Sequence, residues 1–184
     1  HEQEIVVMNH SDLDTLEVTR ECTDQDSKYR VKFTLKQGAS GVKFIGPVGG
    51  NMMKGTFDKT RADNGLVEYQ HMAHILMAGI NEEQKCILDA LDKGRAFIAV
   101  KIRNYKRNAP SGLNEAIEIY GIGQGLVTAD YTYDLTENGG LVDITLNSQE
   151  GAFENNLPYI YESEVPGQEI TDFDALFANP GSGS

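Results

Sequence analysis

Ile119-Tyr120-Gly121-Ile122-Gly123-Gln124-Gly125-Leu126-Val127 sets three glycines at alternate positions behind an apolar run. The stretch reads either as a phosphate cradle or as a turn that needs glycine. A dinucleotide cradle requires strand, glycine loop and then helix, because the helix N-terminus supplies the anion site. Here Gly125 is followed by LVTADYTYDL, which alternates β-branched and aromatic residues with small and polar ones and so predicts a strand. The spacing is G-x-G-x-G rather than G-x-G-x-x-G, and no Walker lysine follows. The stretch therefore predicts a strand-to-strand turn, its glycines supplying positive φ or close backbone approach. No cofactor is expected.

Outward from the turn, strand patterns dominate. Glu115–Tyr120 precedes it and Leu126–Leu135 follows, with Leu141–Leu146 beyond a Thr136-Glu137-Asn138-Gly139-Gly140 link. Asn-Gly in such a link is a hairpin signal. Lys28–Lys36 places Tyr29, Val31, Phe33 and Leu35 on one face, the mark of a half-buried strand. Leu16–Thr19, Val42–Ile45 and Ala96–Ile102 predict further strands, and Gly46–Thr60, rich in glycine, a long irregular loop. Leu66–Ala78 has residues that suit a helix, yet Val67, Tyr69, His71, Ala73, Ile75 and Met77 alternate, which favours a strand. One main helix is expected over 82–93: Asn81 caps it, Glu82 and Glu83 sit in the first turn, and Lys93 and a left-handed Gly94 end it.

The 184 residues fit one domain. The expected fold is α+β and β-rich: an antiparallel sandwich or barrel over residues 1–164, then an extended arm or flexible tail over 165–184 ending in PGSGS. No apolar run approaches the length of a membrane helix, and no membrane partner is expected. The opening His1-Glu2-Gln3 lacks methionine and a basic-then-apolar leader, as expected of a cleaved or trimmed start. A net charge of −12 argues against a nucleic-acid binder; it reads as a means of keeping the protein soluble or, more sharply, as a surface that repels a polyanion or lets it slip past. Cys22 and Cys86 are expected as reduced, partly buried thiols.

Candidate sites are few. On a strand His71 and His74 point to opposite faces and cannot share a metal, and Glu68 adds no adequate third ligand, so both histidines are expected at the surface or in a groove with satisfied hydrogen bonds. Asp12/Asp14 and Asp24/Asp26 lack the glycine and glutamate that would complete a calcium loop. No nucleophile elbow or cysteine-protease signature occurs, so no catalytic residue is assigned. The basic cluster Lys101, Arg103, Lys106 and Arg107, with Tyr105 among them, stands out on the acidic background. It reads as a solvated loop or as the complement of acidic surface on a second copy of the chain. Tyr131, Tyr133, Tyr159 and Tyr161 form the other candidate, an aromatic recognition surface for a protein or glycan.

The order of motifs resembles small virion structural proteins of tailed bacteriophages, particularly those infecting Bacteroidetes. The carriers are Gly94-Arg95, Gly121 with Gly125-Leu126, Gly139-Gly140 with Ile144-Thr145-Leu146, Gln149-Glu150 and Leu157-Pro158, spread over Leu66–Tyr161. The resemblance implies a non-enzymatic subunit, made in the host cytoplasm and resident in the virion, that assembles into a ring or lattice with copies of itself and other virion proteins. A tail-tube or head–tail component is the leading role, with a capsid accessory protein or a neck ring beside it. It implies passage of DNA without adhesion rather than specific nucleic-acid binding. Arg103, Tyr105, Lys106, Arg107, Tyr159 and Tyr161 are the expected inter-subunit contacts, and the arm after Pro158 and the Gly46–Thr60 loop the expected clasps.

Overall fold

A computed structural model describes residues 2–23, 27–47, 54–78, 81–103, 115–133 and 141–175. The chain runs β1 (Glu2–Asn9), β2 (Leu13–Glu21), β3 (Lys28–Leu35), β4 (Val42–Pro47), β5 (Lys54–Arg61) and β6 (Val67–Ala78), then α1 (Glu82–Lys93). It continues through β7 (Ala96–Arg103), β8 (Glu115–Tyr120), β9 (Leu126–Thr128), β10 (Leu141–Ser148), β11 (Tyr159–Tyr161) and α2 (Glu169–Ala175). The protein is α+β and β-rich, and its strands join in one mixed sheet.

The sheet divides at the glycine stretch. β7 pairs with β8 from Arg103↔Glu115 to Ile98↔Tyr120. Two residues further along β7, Ala96 faces Leu126, on the far side of the glycines. The chain thus leaves β7's flank as β8 and returns to it as β9. From β8 one limb runs through β11 and β3 to β2, with β11 parallel to β3. From β9 the other limb runs through β10 and β6 to β5. β1 lies along the opposite flank of β7 and carries β4.

Strands β1 and β7 are buried on both faces. Val6, Met8, Phe97 and Ala99 face one core, which β3, β8, β11 and α2 complete. Ile5, Val7, Ile98 and Val100 face the other, which β6, β10 and α1 close. The β6 limb folds back over this second core: Gly55 of β5 lies against the Tyr120 ring, where a Cβ would come within 2.6 Å of Cε2.

Several sequence expectations change. β5 takes up residues 54–60 of the expected 46–60 loop, because the ladder from Lys54↔His74 to Arg61↔Val67 satisfies backbone in a stretch that its glycines made look like loop. The strand after Gly125 ends at Thr128, well short of Leu135, although Ala129 N still donates to Thr145 O (2.8 Å). Gly94 is extended rather than left-handed (φ −127°, ψ −166°), since the chain passes directly into β7. The start of α1 is as expected, Asn81 and Gln84 forming a reciprocal capping box. The stretch 165–175 is no free arm: α2 inserts fully buried Phe173 into the first core, and burying such a ring contributes about 2–3 kcal/mol. Cys22 and Cys86 are both exposed, not partly buried. The Thr136–Gly140 link and residues 176–184 lie outside the described residues.

Candidate functional site

The glycine corner does hold an anion, but its own. Gly121 (φ +73°) and Gly125 (φ +87°) take the left-handed conformation that lets the chain double back, with Gly125 N donating to Gly121 O (2.9 Å). Between them Gly123 lies so close to Glu154 that a Cβ would overlap Oε2. Gln124 N donates to Glu154 Oε1 (2.8 Å), and the amides of Gly123 and Gly125 also stabilise that carboxylate. Successive backbone N–H groups of this kind form an anion-binding concavity. Glu154 is 2% exposed, and burial raises its pKa against the opposing pull of those amides and of His10. An added phosphate would have to displace a buried side chain.

His71 locks the same corner from β6. Its Nδ1 accepts from Gly121 N (3.0 Å), which leaves the proton on Nε2, donated to Asn156 O (2.7 Å). Full burial lowers its pKa to about 4, so the ring is neutral at pH 7. His71 is therefore not the surface or groove histidine the sequence suggested. The alternation that separates it from His74 holds: His74 Nδ1 meets Thr145 Oγ1 (3.2 Å) on β10. Glu154 also bridges to Tyr69 through paired backbone hydrogen bonds (2.8 and 2.9 Å). His10 Nε2 donates to Ile122 O (2.8 Å), and Arg95 Nη1 to Gln124 O (3.0 Å). These bonds join five separate segments around two groups shielded from solvent. The corner has the chemistry of a structural lock. Among the described residues no three His, Cys, Asp or Glu side chains group to hold a metal.

The expected contact residues are scattered. Lys101 is largely buried within an ion-pair network, 2.9 Å from Glu4 Oε2 and 3.8 Å from Glu115 Oε2, rather than part of a free basic patch. Arg103 ends β7 opposite Glu115 in the ladder, and Tyr105, Lys106 and Arg107 lie outside the described residues. Tyr159 and Tyr161 are core residues, 5% and 3% exposed, which corrects their expected role as surface contacts. Alternation along β11 turns both rings inward: Tyr159 stacks on Tyr29 at 5.1 Å, and the Tyr161 hydroxyl donates to Asp172 Oδ2 on α2 (2.9 Å). Burial, reinforced by Asp172, raises the pKa of Tyr161. Tyr131 and Tyr133 stand elsewhere, beside Leu88, Asp89 and Asp92 of α1. The Tyr131 hydroxyl donates to Asp92 Oδ2 (2.6 Å), and burial with that carboxylate pushes its pKa up to about 12. The four tyrosines do not form one surface.

What the fold does present is open edges. Among the described residues β2 pairs only with β3, β5 only with β6, and β4 only with β1. β2 leaves Leu16 and Val18 exposed at 45% and 41%, and β5 leaves Phe57 exposed at 45%. Unpaired N–H and C=O groups beside exposed apolar side chains are templates for pairing with another chain. No signal in the sequence marked β2 or β5 as an edge, because edge position depends on which strands the rest of the chain supplies. Comparison of the chain with protein-family models, with curated proteins and with solved structures gives no match in any of the three.

Proposed function

We propose that the chain is a non-enzymatic structural subunit that works by assembling with copies of itself, as a tail-tube or head–tail component of a phage particle. The observation that carries the reading is the pair of long strands, β2 and β5, that among the described residues pair on one side only, each with exposed apolar side chains. Two different edges on one subunit favour a heterologous, head-to-tail contact, which closes into a ring when the rotation allows. The order of motifs over Leu66–Tyr161 supports the placement in a virion, and the net charge of −12 suits a passage that DNA must traverse without adhering. The clasp moves from where the sequence put it: α2 packs on its own core, and the described parts of the 46–60 segment belong to β4 and β5. Sedimentation of the purified protein across a concentration series, with negative-stain imaging, tests the proposal. Closed rings or stacked tubes are expected, and monodisperse monomers at high concentration would overturn it.

A further inference from the structure

The two open edges carry opposite charge. Along β2, Asp14, Glu17 and Glu21 outnumber Arg20, and all four are exposed. Along β5, Lys54, Lys59 and Arg61 outnumber Asp58, and all four are exposed. Arg20 is engaged at home, its guanidinium 5.2 Å from the centre of the Tyr29 ring, which leaves the acids to set the character of the β2 edge. Each strand is long enough for a full ladder, nine residues in β2 and eight in β5. β4 suits the role less well, being six residues and ending in Gly46-Pro47, where proline supplies no N–H.

We propose that β2 of one copy adds to β5 of the next, the acidic edge selecting the basic one, so that the partner of each edge is a second copy of this chain. The inference rests on the self-assembly reading and names its contact. Backbone pairing supplies the ladder, and Leu16, Val18 and Phe57 leave water as the edges meet. Like edges repel: two β2 edges set acid against acid and two β5 edges set base against base, which disfavours a symmetric dimer and directs the subunits head to tail.

The test uses the full chain and two charge-reversed proteins, Glu17→Lys/Glu21→Lys on β2 and Lys59→Glu/Arg61→Glu on β5. Every altered side chain is exposed, and circular dichroism checks that each variant is folded. Sedimentation should show wild type assembling and each variant alone weakened by about a hundredfold. A one-to-one mixture should assemble again, because the reversed β2 of one meets the reversed β5 of the other. In assembled wild type, amide exchange should slow in β2 and β5 together. If wild type assembles while the variants assemble equally well, or exchange slows at neither strand, the edge pairing is wrong and self-assembly stands. A wild type that stays monomeric removes both.

Discussion

Gly121→Ala isolates the packing of the corner at which the sheet divides. Two terms are involved. At φ +73° an alanine meets the left-handed penalty of about 1–2 kcal/mol. Its Cβ would also lie 2.5 Å from Leu126 Cγ and 2.7 Å from Cδ2. Leu126 is fully buried in the second core, so it has nowhere to retreat, and overpacking of this kind costs about 1–3 kcal/mol. The sum is about 2–5 kcal/mol. Gly151→Ala is the control: its φ is +85°, but a Cβ there meets nothing within 4 Å, so only the first term applies. Equilibrium urea denaturation followed by far-UV circular dichroism should place Gly121→Ala about 1–3 kcal/mol below Gly151→Ala. In a Leu126→Ala background the extra cost of Gly121→Ala should shrink to the control value, since the atoms it strikes are gone. Equal losses at positions 121 and 151, or full additivity in the double variant, would refute the picture of a tightly packed corner.

His71, held neutral by burial, should titrate near pH 4 by NMR, and a midpoint near the usual imidazole value would contradict its seat between Gly121 and Asn156. Because the unfolded chain binds this proton near pH 6.5 and the folded chain only near 4, stability is full above that window and falls as the pH drops through it, by about 3 kcal/mol in all. Glu154 acts with opposite sign: its raised pKa makes the folded state take up a proton first, so acidification favours it and His71→Gln should expose that counter-slope. Phe173→Ala should cost about 3–5 kcal/mol in the same denaturation assay, against under about 1 kcal/mol for exposed Asp174→Ala, which loses only its ion pair with Lys43. Equal effects at positions 173 and 174 would return α2 to the status of a loose arm.

What the sequence revealed tracks how local the stabilising interaction is. α1 was legible because its capping box lies within four residues, and β3 because one face is buried and the other wet, which writes alternation into KYRVKFTL. β1 was not, although it lies at the centre: Ile5-Val6-Val7-Met8 is buried on both faces, so its apolar run has no period to read. α2 was hidden for a different reason. EITDFDA is acidic and only seven residues long, too short to be helical alone, and it is held by Phe173, by Asp172 at Tyr161 and by Asp174 at Lys43. The groups that hold it at those three residues lie outside the helix.

The same distinction governs the glycine stretch. Its backbone conformation was readable, since G-x-G-x-G before a strand leaves a turn as the reading and the φ values at Gly121 and Gly125 require it. Its occupant was not, because Glu154 arrives from about thirty residues downstream through a single bridge to Tyr69, and nothing in Phe153-Glu154-Asn155 singles that acid out among its many neighbours. A nest of amides attracts an anion whether a ligand or the chain supplies it. Here the supply is internal and shielded from solvent, and the three polar anchors at the corner, Glu154, His71 and His10, are each engaged in hydrogen bonds within the chain. Closed on itself, the corner fixes where the two limbs of the sheet diverge, and so where β2 and β5 come to lie at their far ends, each paired on one side only among the described residues.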